Sequence, residues 1–236
     1  MERQESYRRS YGRRTPGWRD SLAVYWEAVD AAVAPHAHVL DLGCGHSDVL
    51  ADVFAKTPFT YGVDPDHDAL RQNRVVRHRI AGVGDRLPFA DERFDAVVAA
   101  WVVEHLGDPA RAVREVHRVL RPGGRFVFLT PNALHPATWP IRVVPNRLHA
   151  PIVHRLYGRP ERDTFSVHYR MNTPRAIERT LRLLGFERDR LILNGDPSYL
   201  SFGPVSFCLA CGFEGLIERR WSGAKVHIIG VYVKAR

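Results

Sequence analysis

Several features are scarce or missing in this sequence of 236 residues. It has only 3 cysteines, too few for the disulfide framework of a small secreted domain. No run of about 18 apolar residues is free of breakers, which argues against a membrane-spanning helix. The first residues, Met1 to Glu5, lack the apolar core of a signal peptide. We therefore expect a soluble, cytoplasmic protein.

Cysteine is also too sparse for a structural metal centre. Cys208 and Cys211 form a single CxxC pair in an apolar stretch, without a second pair or closely spaced histidines. A structural zinc site needs four ligands. The two thiols are therefore interpreted as buried helical side chains, and no metal is expected.

Lysine is nearly absent, although the formal net charge is +8. Arginine carries the charge and is a frequent contact to nucleic acid. The arginines are dispersed rather than gathered in one run, which disfavours a nucleic-acid partner. Residues 1–17 form a basic N-terminal arm, interpreted as a solvated segment or a lid, with arginines at positions 3, 8, 9, 13 and 14.

Apolar strands alternate with segments of helical spacing. The predicted strands lie at 38–42, 59–63, 77–81, 94–100 and 125–129. Such alternation is typical of a doubly wound α/β sheet, which binds ligands at the carboxyl ends of its strands. At this length we expect one domain over residues 1–236, with insertions.

Two segments interrupt the alternation. Residues 131–170 are rich in proline, and loops of this length are usually functional or disordered. Their interleaved arginines and aromatic residues indicate either an acceptor-side pocket for an anionic substrate or a solvated basic loop. The apolar segment 196–222 is predicted to pack against the sheet. A substrate lid, or peripheral membrane contact edged by Arg219, Arg220 and Trp221, is the alternative.

The most informative stretch is Val39–Gly45, a predicted buried strand that runs into a glycine-rich turn. Gly43 and Gly45 tolerate positive φ and let the backbone approach a ligand closely. The next predicted strand ends in Asp64, 19 residues after Gly45. That spacing suits one helix plus one strand and puts an acid where it can hold the hydroxyls of a ribose.

The nicotinamide fingerprint is incomplete in this turn. It needs a third glycine three positions after the second, and His46, Ser47 and Asp48 follow Gly45 instead. Asp48 would also repel a pyrophosphate at the start of the helix. Asp41, two residues before the first glycine, fits better beside a cationic ligand.

Three further motifs follow the turn in order: Gly84–Phe89 with Phe94–Val98, then Glu104–Leu106, then Glu115–Gly124. Together with Asp-Leu-Gly-Cys-Gly they cover residues 39–130. This order resembles the class I S-adenosylmethionine-dependent methyltransferases of the ubiquinone and natural-product type. The resemblance implies a Rossmann-like sheet of seven mostly parallel strands, an antiparallel last strand and helices on both faces. It also implies S-adenosylmethionine as the cofactor.

The resemblance implies a cofactor site around the first two strands. Asp41 and the backbone of Gly43, Cys44 and Gly45 are expected to shape the methionine end. Asp64 is expected to accept hydrogen bonds from the ribose hydroxyls.

The adenine side and the wall of the site follow later in the chain. Pro65 is expected against the adenine face. Asp85 and Leu87 are the candidate cofactor-binding residues of the next motif. The family's acid stands four residues before Leu87 and Asp85 only two, so Asp85 either contacts adenine from a shifted position or lies outside the site. Trp101 is interpreted as a wall of the cofactor or of a flat substrate, with a core position as the alternative.

The acceptor is expected to be a small molecule. Methyltransferases of nucleobase amines typically carry Asn/Asp-Pro-Pro-Tyr after the fourth strand, where this chain has Ala99–Val102. We predict methylation of a hydroxyl oxygen on an anionic, glycan-linked or lipid-linked compound. The alternatives are RNA or protein methylation, and a non-catalytic cofactor-binding protein. The sequence does not define the oligomeric state.

A hydroxyl acceptor benefits from a general base, and histidine titrates near pH 6.5. Three histidines lie after the fourth strand, after the fifth strand or at the end of the insertion. We rank them as candidate bases in the order His135, His105, His168.

Overall fold

The computed structural model describes residues 2–139 and 166–235. In chain order its helices and strands are α1 (Glu2–Arg14), α2 (Ser21–Ala32), β1 (Val39–Leu42), α3 (Ala51–Phe54), β2 (Thr60–Asp64), α4 (His67–Gln72), β3 (His78–Ala81), β4 (Phe94–Ala100), α5 (Pro109–Val119), β5 (Leu120–Pro131), α6 (Pro174–Leu183), β6 (Phe186–Asn194), α7 (Pro204–Arg220) and β7 (His227–Lys234). Short 3₁₀ turns lie at Val103–His105, Pro136–Thr138, Pro197–Leu200 and Ser222–Ala224.

The strands form one seven-stranded sheet in the order β3-β2-β1-β4-β5-β7-β6. The pairs from β3 to β5 are parallel, and β7 runs antiparallel to both β5 and β6. The predicted α/β class and the antiparallel last strand are confirmed. Because β7 is antiparallel, its first residue, His227, lies opposite Pro131, the last residue of β5.

Each face of the sheet has its own apolar core, because successive side chains of a strand point to opposite faces. In β1, Leu40 packs with α5 and α6 on one face, whereas Val39 packs with α2, α3 and α4 on the other. The predicted double winding, with helices on both faces, follows from this alternation.

Local signals fix several helix starts. The carboxylate of Asp108 accepts from the Arg111 amide, and Thr173 Oγ1 accepts from the Ala176 amide; a proline at the first helical position follows each cap. Caps of this kind satisfy amides that otherwise have no helical partner.

The N-terminal arm differs from its predicted form. Residues 2–14 are helix α1, which is docked on the protein rather than extended as a solvated segment. The Arg8 Nε donates to Asp196 Oδ2 over 2.9 Å, and the Tyr7 ring stacks on Phe207 with centroids 4.8 Å apart. Contacts with residues from the C-terminal part of the chain therefore hold the arm in place.

The C-terminal apolar segment also differs from its prediction. It folds into the 3₁₀ turn Pro197–Leu200 and helix α7, and α7 packs mainly on that turn rather than on the sheet. Cys208 and Cys211 both lie on α7, as predicted. They were expected to be buried, but Cys208 is exposed and Cys211 is half-buried. The part of residues 131–170 between 140 and 165 lies outside the described residues.

Among the described helices, none has both the length and the apolar character needed to cross a bilayer.

Candidate functional site

The glycine-rich turn after β1 is held against β2. The amides of Gly43 and Cys44 both donate to the Val63 carbonyl, over 2.7 and 3.3 Å. Gly43 has φ +69°, and a Cβ there would come within 2.4 Å of Val102 Cγ2. Gly45 has φ +45°. The turn therefore excludes side chains at the first glycine for steric reasons and exposes backbone to a ligand, as the sequence predicted.

Asp64 ties the end of β2 to this turn. Its carboxylate is 7% exposed, and Oδ2 accepts from the Gly45 amide over 2.9 Å while Oδ1 accepts from the Asp66 amide over 2.8 Å. Each carboxylate oxygen has two lone pairs, so one acceptor position on each oxygen remains after these bonds. The carboxylate is thus fixed in place with capacity for two hydroxyl donors.

Asp41 is a half-buried carboxylate without a cation. Among the described residues no hydrogen bond or ion pair reaches its side chain. Burial, and then the nearby charge of Asp64, raise the pKa of Asp41 to about 8. A cationic group beside Asp41 would restore its ionised form, because an opposite charge within a few ångströms favours it.

A cavity of about 120 Å³ lies beside Asp41. Its lining residues are Leu22, Tyr25, Asp41, Gly43, Cys44, Ser47, Val49, Leu50, Val75, Ala100 and Trp101. The volume is below the roughly 300–1,000 Å³ of a complete small-molecule site, and it suits only the amino-acid end of the implied cofactor. An uncompensated carboxylate between mostly apolar walls fits an ammonium or sulfonium group.

The other predicted cofactor residues take different positions. Cys44 is buried, and its Sγ would lie 2.6 Å from a Cβ on Gly62, so its side chain packs under β2. Burial, followed by the charges of Asp41 and Asp64, raises the pKa of its thiol. Pro65 is exposed directly after β2. Only the backbone of Cys44 is therefore available to a ligand in the turn.

Leu87 and Asp85, two further predicted cofactor residues, lie in different environments. Leu87 is 4% exposed and belongs to the core on the α5 side of the sheet, where its amide donates to Glu115 Oε2 over 2.7 Å. Asp85 is half-buried, with Arg111 Nε 3.9 Å from its Oδ2. Its role toward adenine stays a prediction.

Trp101 stands at the junction of the cavity and the acceptor side. It has φ +59°, a conformation that bulky residues rarely adopt and that often accompanies functional sites. Its amide donates to the Leu129 carbonyl over 2.9 Å, and its ring meets the His227 ring edge-on at 5.0 Å. Both the wall and the core interpretation apply, since the half-buried ring lines the cavity and also packs inward.

His135, ranked first as a base, has no exposed surface. Its Nδ1 accepts from the Ala137 amide over 3.1 Å and caps the following 3₁₀ turn. A neutral imidazole with Nδ1 as acceptor carries its proton on Nε2, and that atom faces Glu214 Oε1 at 3.4 Å. This placement provides no lone pair for an acceptor hydroxyl and favours a structural role, and the role of His135 as a base stays a prediction.

His105 and His168 flank the acceptor side. His105 Nδ1 lies 2.8 Å from the Ser166 carbonyl oxygen, which has to accept its proton. Nε2 is then the proton-accepting nitrogen of the neutral ring, and burial lowers the pKa of His105. The exposed His168 is held by its amide, which donates to the Glu104 carbonyl over 2.7 Å.

A buried network of hydrogen bonds lies next to His105 in the sequence and structure, at Glu104. Thr130 Oγ1 donates to Glu104 Oε2 over 2.9 Å, and Asn172 Nδ2 donates to Thr130 Oγ1 over 2.6 Å. The network joins the ends of β4 and β5 to the start of α6. In a low-dielectric interior, such bonds rigidify the elements that they connect.

Two residues of the site were missed from sequence. Tyr25 lines the cavity, and its helical spacing identified it only as an apolar position. His227 is 2% exposed, with Ser21 Oγ 2.8 Å from its Nδ1. The available signal was the antiparallel direction of the last strand, which brings the start of β7 to the carboxyl edge of the parallel strands.

No group of three or more side chains suited to hold a metal ion occurs within residues 2–139 and 166–235.

Comparison with known proteins identifies the domain. A family model described as "Methyltransferase domain" matches residues 40–128. A ubiquinone/menaquinone biosynthesis C-methyltransferase of Geotalea daltonii is 32% identical over 108 residues, 41% of this chain and 46% of that protein. A probable S-adenosylmethionine-dependent methyltransferase of Mycolicibacterium smegmatis is 42% identical over 105 residues, 41% of this chain and 38% of that protein.

The matches span less than half the length of these curated relatives. A solved S-adenosylmethionine-dependent methyltransferase of Mesorhizobium loti shares the fold, with a TM-score of 0.60 at 19% identity over 90% of this chain and 100% of that one. Residues 40–128 thus carry a methyltransferase domain, and in this region the chain is similar to S-adenosylmethionine-dependent methyltransferases, with which it also shares its fold.

Proposed function

We propose that this protein transfers a methyl group from S-adenosylmethionine to a hydroxyl oxygen of a small-molecule acceptor. The observation that carries the proposal is the Asp41 carboxylate, which lies without a cation beside the glycine turn and a small cavity. A nucleotide with two phosphates has no group that would complete this site. A cofactor with an ammonium and a sulfonium does.

The chain's own residues bind and orient the cofactor in this proposal. Asp41 takes the cationic methionine end, Gly43 and Gly45 let it lie against the backbone, and Asp64 accepts the ribose hydroxyls. When bound, the sulfonium supplies an electrophilic methyl group. The protein has to align an acceptor atom roughly 3–3.5 Å from that group and exclude water, which accounts for much of the acceleration.

The acceptor side supports an oxygen nucleophile. Burial lowers the pKa of His105, which favours the neutral ring near pH 7, and its Nδ1 lies 2.8 Å from the Ser166 carbonyl oxygen. We propose His105 as the base that receives the hydroxyl proton. Trp101 lines the cavity and its ring meets the His227 ring edge-on, and we propose that the Trp101 ring lies against a flat acceptor.

Carbon methylation of a phenolic ring is the second candidate. Its support is the name of the Geotalea daltonii relative, a C-methyltransferase of quinone biosynthesis. Loss of the phenol proton raises electron density on the ring carbons as well as on oxygen, so the same base serves either atom. The position of the new methyl group in the product, measured by NMR, separates the two candidates.

Calorimetric titration of the purified protein tests the cofactor assignment. We expect micromolar binding of S-adenosylmethionine and S-adenosylhomocysteine and none of NAD. Incubation with methyl-labelled cofactor and fractionated small-molecule extracts then identifies the acceptor. Failure of both sulfur cofactors to bind to folded protein contradicts the proposal. Binding without labelling of any fraction favours the non-catalytic alternative, and labelling of RNA or protein favours the macromolecular one.

A further inference from the structure

Helix α7 is apolar on the side that faces away from the protein. Its inward side is formed by Phe207, Ala210, Glu214 and Ile217, all buried. Glu214 is the one charged residue among residues 204–217. In this part of the helix the charged side chain therefore lies on the inward face, and the outward face carries apolar side chains. This inverts the normal pattern of a surface helix.

The outward residues form a continuous stripe along the helix. The apolar stripe consists of Val205, Leu209, Gly212 and Leu216, spaced at three and four residues, and all four are exposed. Val205 is 75% and Leu209 71% exposed. Single exposed apolar residues need no explanation, but a contiguous patch indicates an interaction surface.

Helix α1 meets α7 near its start and on its inward side. Arg3 Nη1 donates to the Phe202 carbonyl over 3.3 Å, Tyr7 stacks on the buried Phe207, and the Arg14 guanidinium lies 5.7 Å from the centre of the same ring. Helix α1 also carries exposed arginines at positions 3, 9, 13 and 14, so the part of the molecule next to α7 is basic.

The carboxyl end of α7 adds positive charge on the helix itself. Arg219 and Arg220 are exposed in its last turn, and the Trp221 side chain that follows is 60% exposed. Neither arginine forms an ion pair with an acid in residues 2–139 or 166–235, and the adjacent Glu218 pairs with Lys225. The apolar stripe therefore ends in two unpaired arginines and a tryptophan.

We propose that this face binds an anionic lipid surface. Apolar side chains enter the acyl boundary of a bilayer, arginines pair with lipid phosphates, and tryptophan favours the interface between them. A second copy of the chain is the poorer occupant, because its arginines would face those of the first. The inference goes beyond the proposed methyl transfer and does not depend on the acceptor.

Co-sedimentation of the full chain with vesicles tests the inference. We expect binding to mixed phosphatidylcholine–phosphatidylglycerol vesicles, a loss of binding in high salt, and little binding to phosphatidylcholine alone. The double variant Leu209→Glu/Leu216→Glu is expected to lose binding about tenfold or more, because it places two carboxylates in the acyl boundary. Arg219→Ala/Arg220→Ala is expected to lose about tenfold.

Helix α6 provides matched controls. Leu183 is 77% exposed there, and Arg179 and Arg182 are exposed beside it. Leu183→Glu and Arg179→Ala/Arg182→Ala are expected to bind vesicles like the unmodified protein. All variants should keep their thermal transition and their affinity for S-adenosylmethionine, which separates this test from that of the enzymatic proposal.

Three results overturn the inference. One is the absence of binding to anionic vesicles by folded protein, and another is an equal loss in the α6 controls. The third is a protein that does not bind vesicles but forms a dimer in analytical ultracentrifugation, and whose dimer is dissociated by Leu209→Glu. That result would assign the face to self-association.

Discussion

Asp64 combines two tasks in one carboxylate. It orders the glycine turn through the Gly45 amide and, in our proposal, receives the ribose hydroxyls. We predict that Asp64→Ala weakens binding of S-adenosylmethionine at least about tenfold, because two charge-assisted hydrogen bonds are lost. Calorimetry measures the change.

Asp66→Ala is the matched control for this prediction. Asp66 is a neighbouring acid that caps α4 through the amides of Asp68 and Ala69. Its loss should lower stability but leave the affinity near that of the unmodified protein. An unchanged affinity in folded Asp64→Ala would remove this carboxylate from the site.

Asp41 makes cofactor binding release a proton. With a pKa of about 8, its carboxyl is mostly protonated at pH 7, and a cationic ligand favours the ionised form. We predict a release of up to about one proton per S-adenosylmethionine bound at pH 7. Binding heats in phosphate and Tris, whose ionisation enthalpies differ, give the number released.

Asp41→Asn has nearly the same shape and cannot ionise. This variant should bind more weakly and show equal heats in the two buffers. Equal heats for the unmodified protein would contradict the prediction, whatever the affinity.

The relative positions of site residues were predictable where the chain determines geometry locally. Gly43, Gly45 and Asp64 lie on one strand–turn–helix–strand unit, so their spacing in sequence fixes their spacing in space. The surroundings of His135 were not predictable, because they depend on the Ala137 amide and on Glu214, a residue from α7. His227 was missed because its proximity to Trp101 depends on the pairing of β7 with β5.

The docking of α1 depends on one ion pair in particular. Asp196 is 1% exposed and meets Arg8 at 2.9 Å. Loss of the guanidinium leaves a buried carboxylate that, among the described residues, keeps one hydrogen bond, from the Ser198 amide over 2.9 Å. We predict that Arg8→Ala lowers the free energy of unfolding by about 1–3 kcal/mol.

Urea denaturation checks this value against Arg9→Ala. Arg9 is the exposed neighbour on the same helix, and its replacement should change the free energy of unfolding by less than about 0.5 kcal/mol. Equal effects of the two variants would show that α1 contributes through helix content alone.

Elements defined by periodicity were predictable, and elements defined by distant partners were not. The β–α alternation gave β1, β2 and β4 nearly in place. Helix α1 was expected as a solvated arm because its arginines suggest solvent exposure. Its contacts with the C-terminal part of the chain join residues far apart in sequence, 188 residues for Arg8 and Asp196 and 199 for Arg3 and Phe202, and no local pattern encodes such contacts.

The pH dependence of stability reflects two buried groups with opposite effects. Burial lowers the pKa of His227 to about 4 from a usual value near 6.5. Between these values the unfolded chain binds more protons, so stability falls as the pH decreases. Asp41, with its pKa raised to about 8, binds its proton in the folded state, so stability falls as the pH rises from about 4 to 8.

From about pH 4 to 6.5 the effects of His227 and Asp41 oppose each other, and the other histidines with a lowered pKa add to that of His227. We therefore predict a maximum of stability at about pH 6.5 in the cofactor-free protein, because Asp41 alone lowers stability above that pH. His227→Gln should flatten the acid limb in part, because burial also lowers the pKa of His38, His105 and His117. Asp41→Asn should flatten the alkaline limb. Urea denaturation from pH 4.5 to 8.5 measures both, and identical profiles for all three proteins would refute the assignment.

The contact between α1 and Asp196 also sets an order of events during synthesis. Arg8 leaves the ribosome 188 residues before its partner. A helix of 13 residues is marginal in water by itself, so α1 has to remain largely unformed while the sheet assembles. Its docking is then among the last steps of folding, and protection of its amides from hydrogen exchange reports that the C-terminal third of the chain has been made and packed.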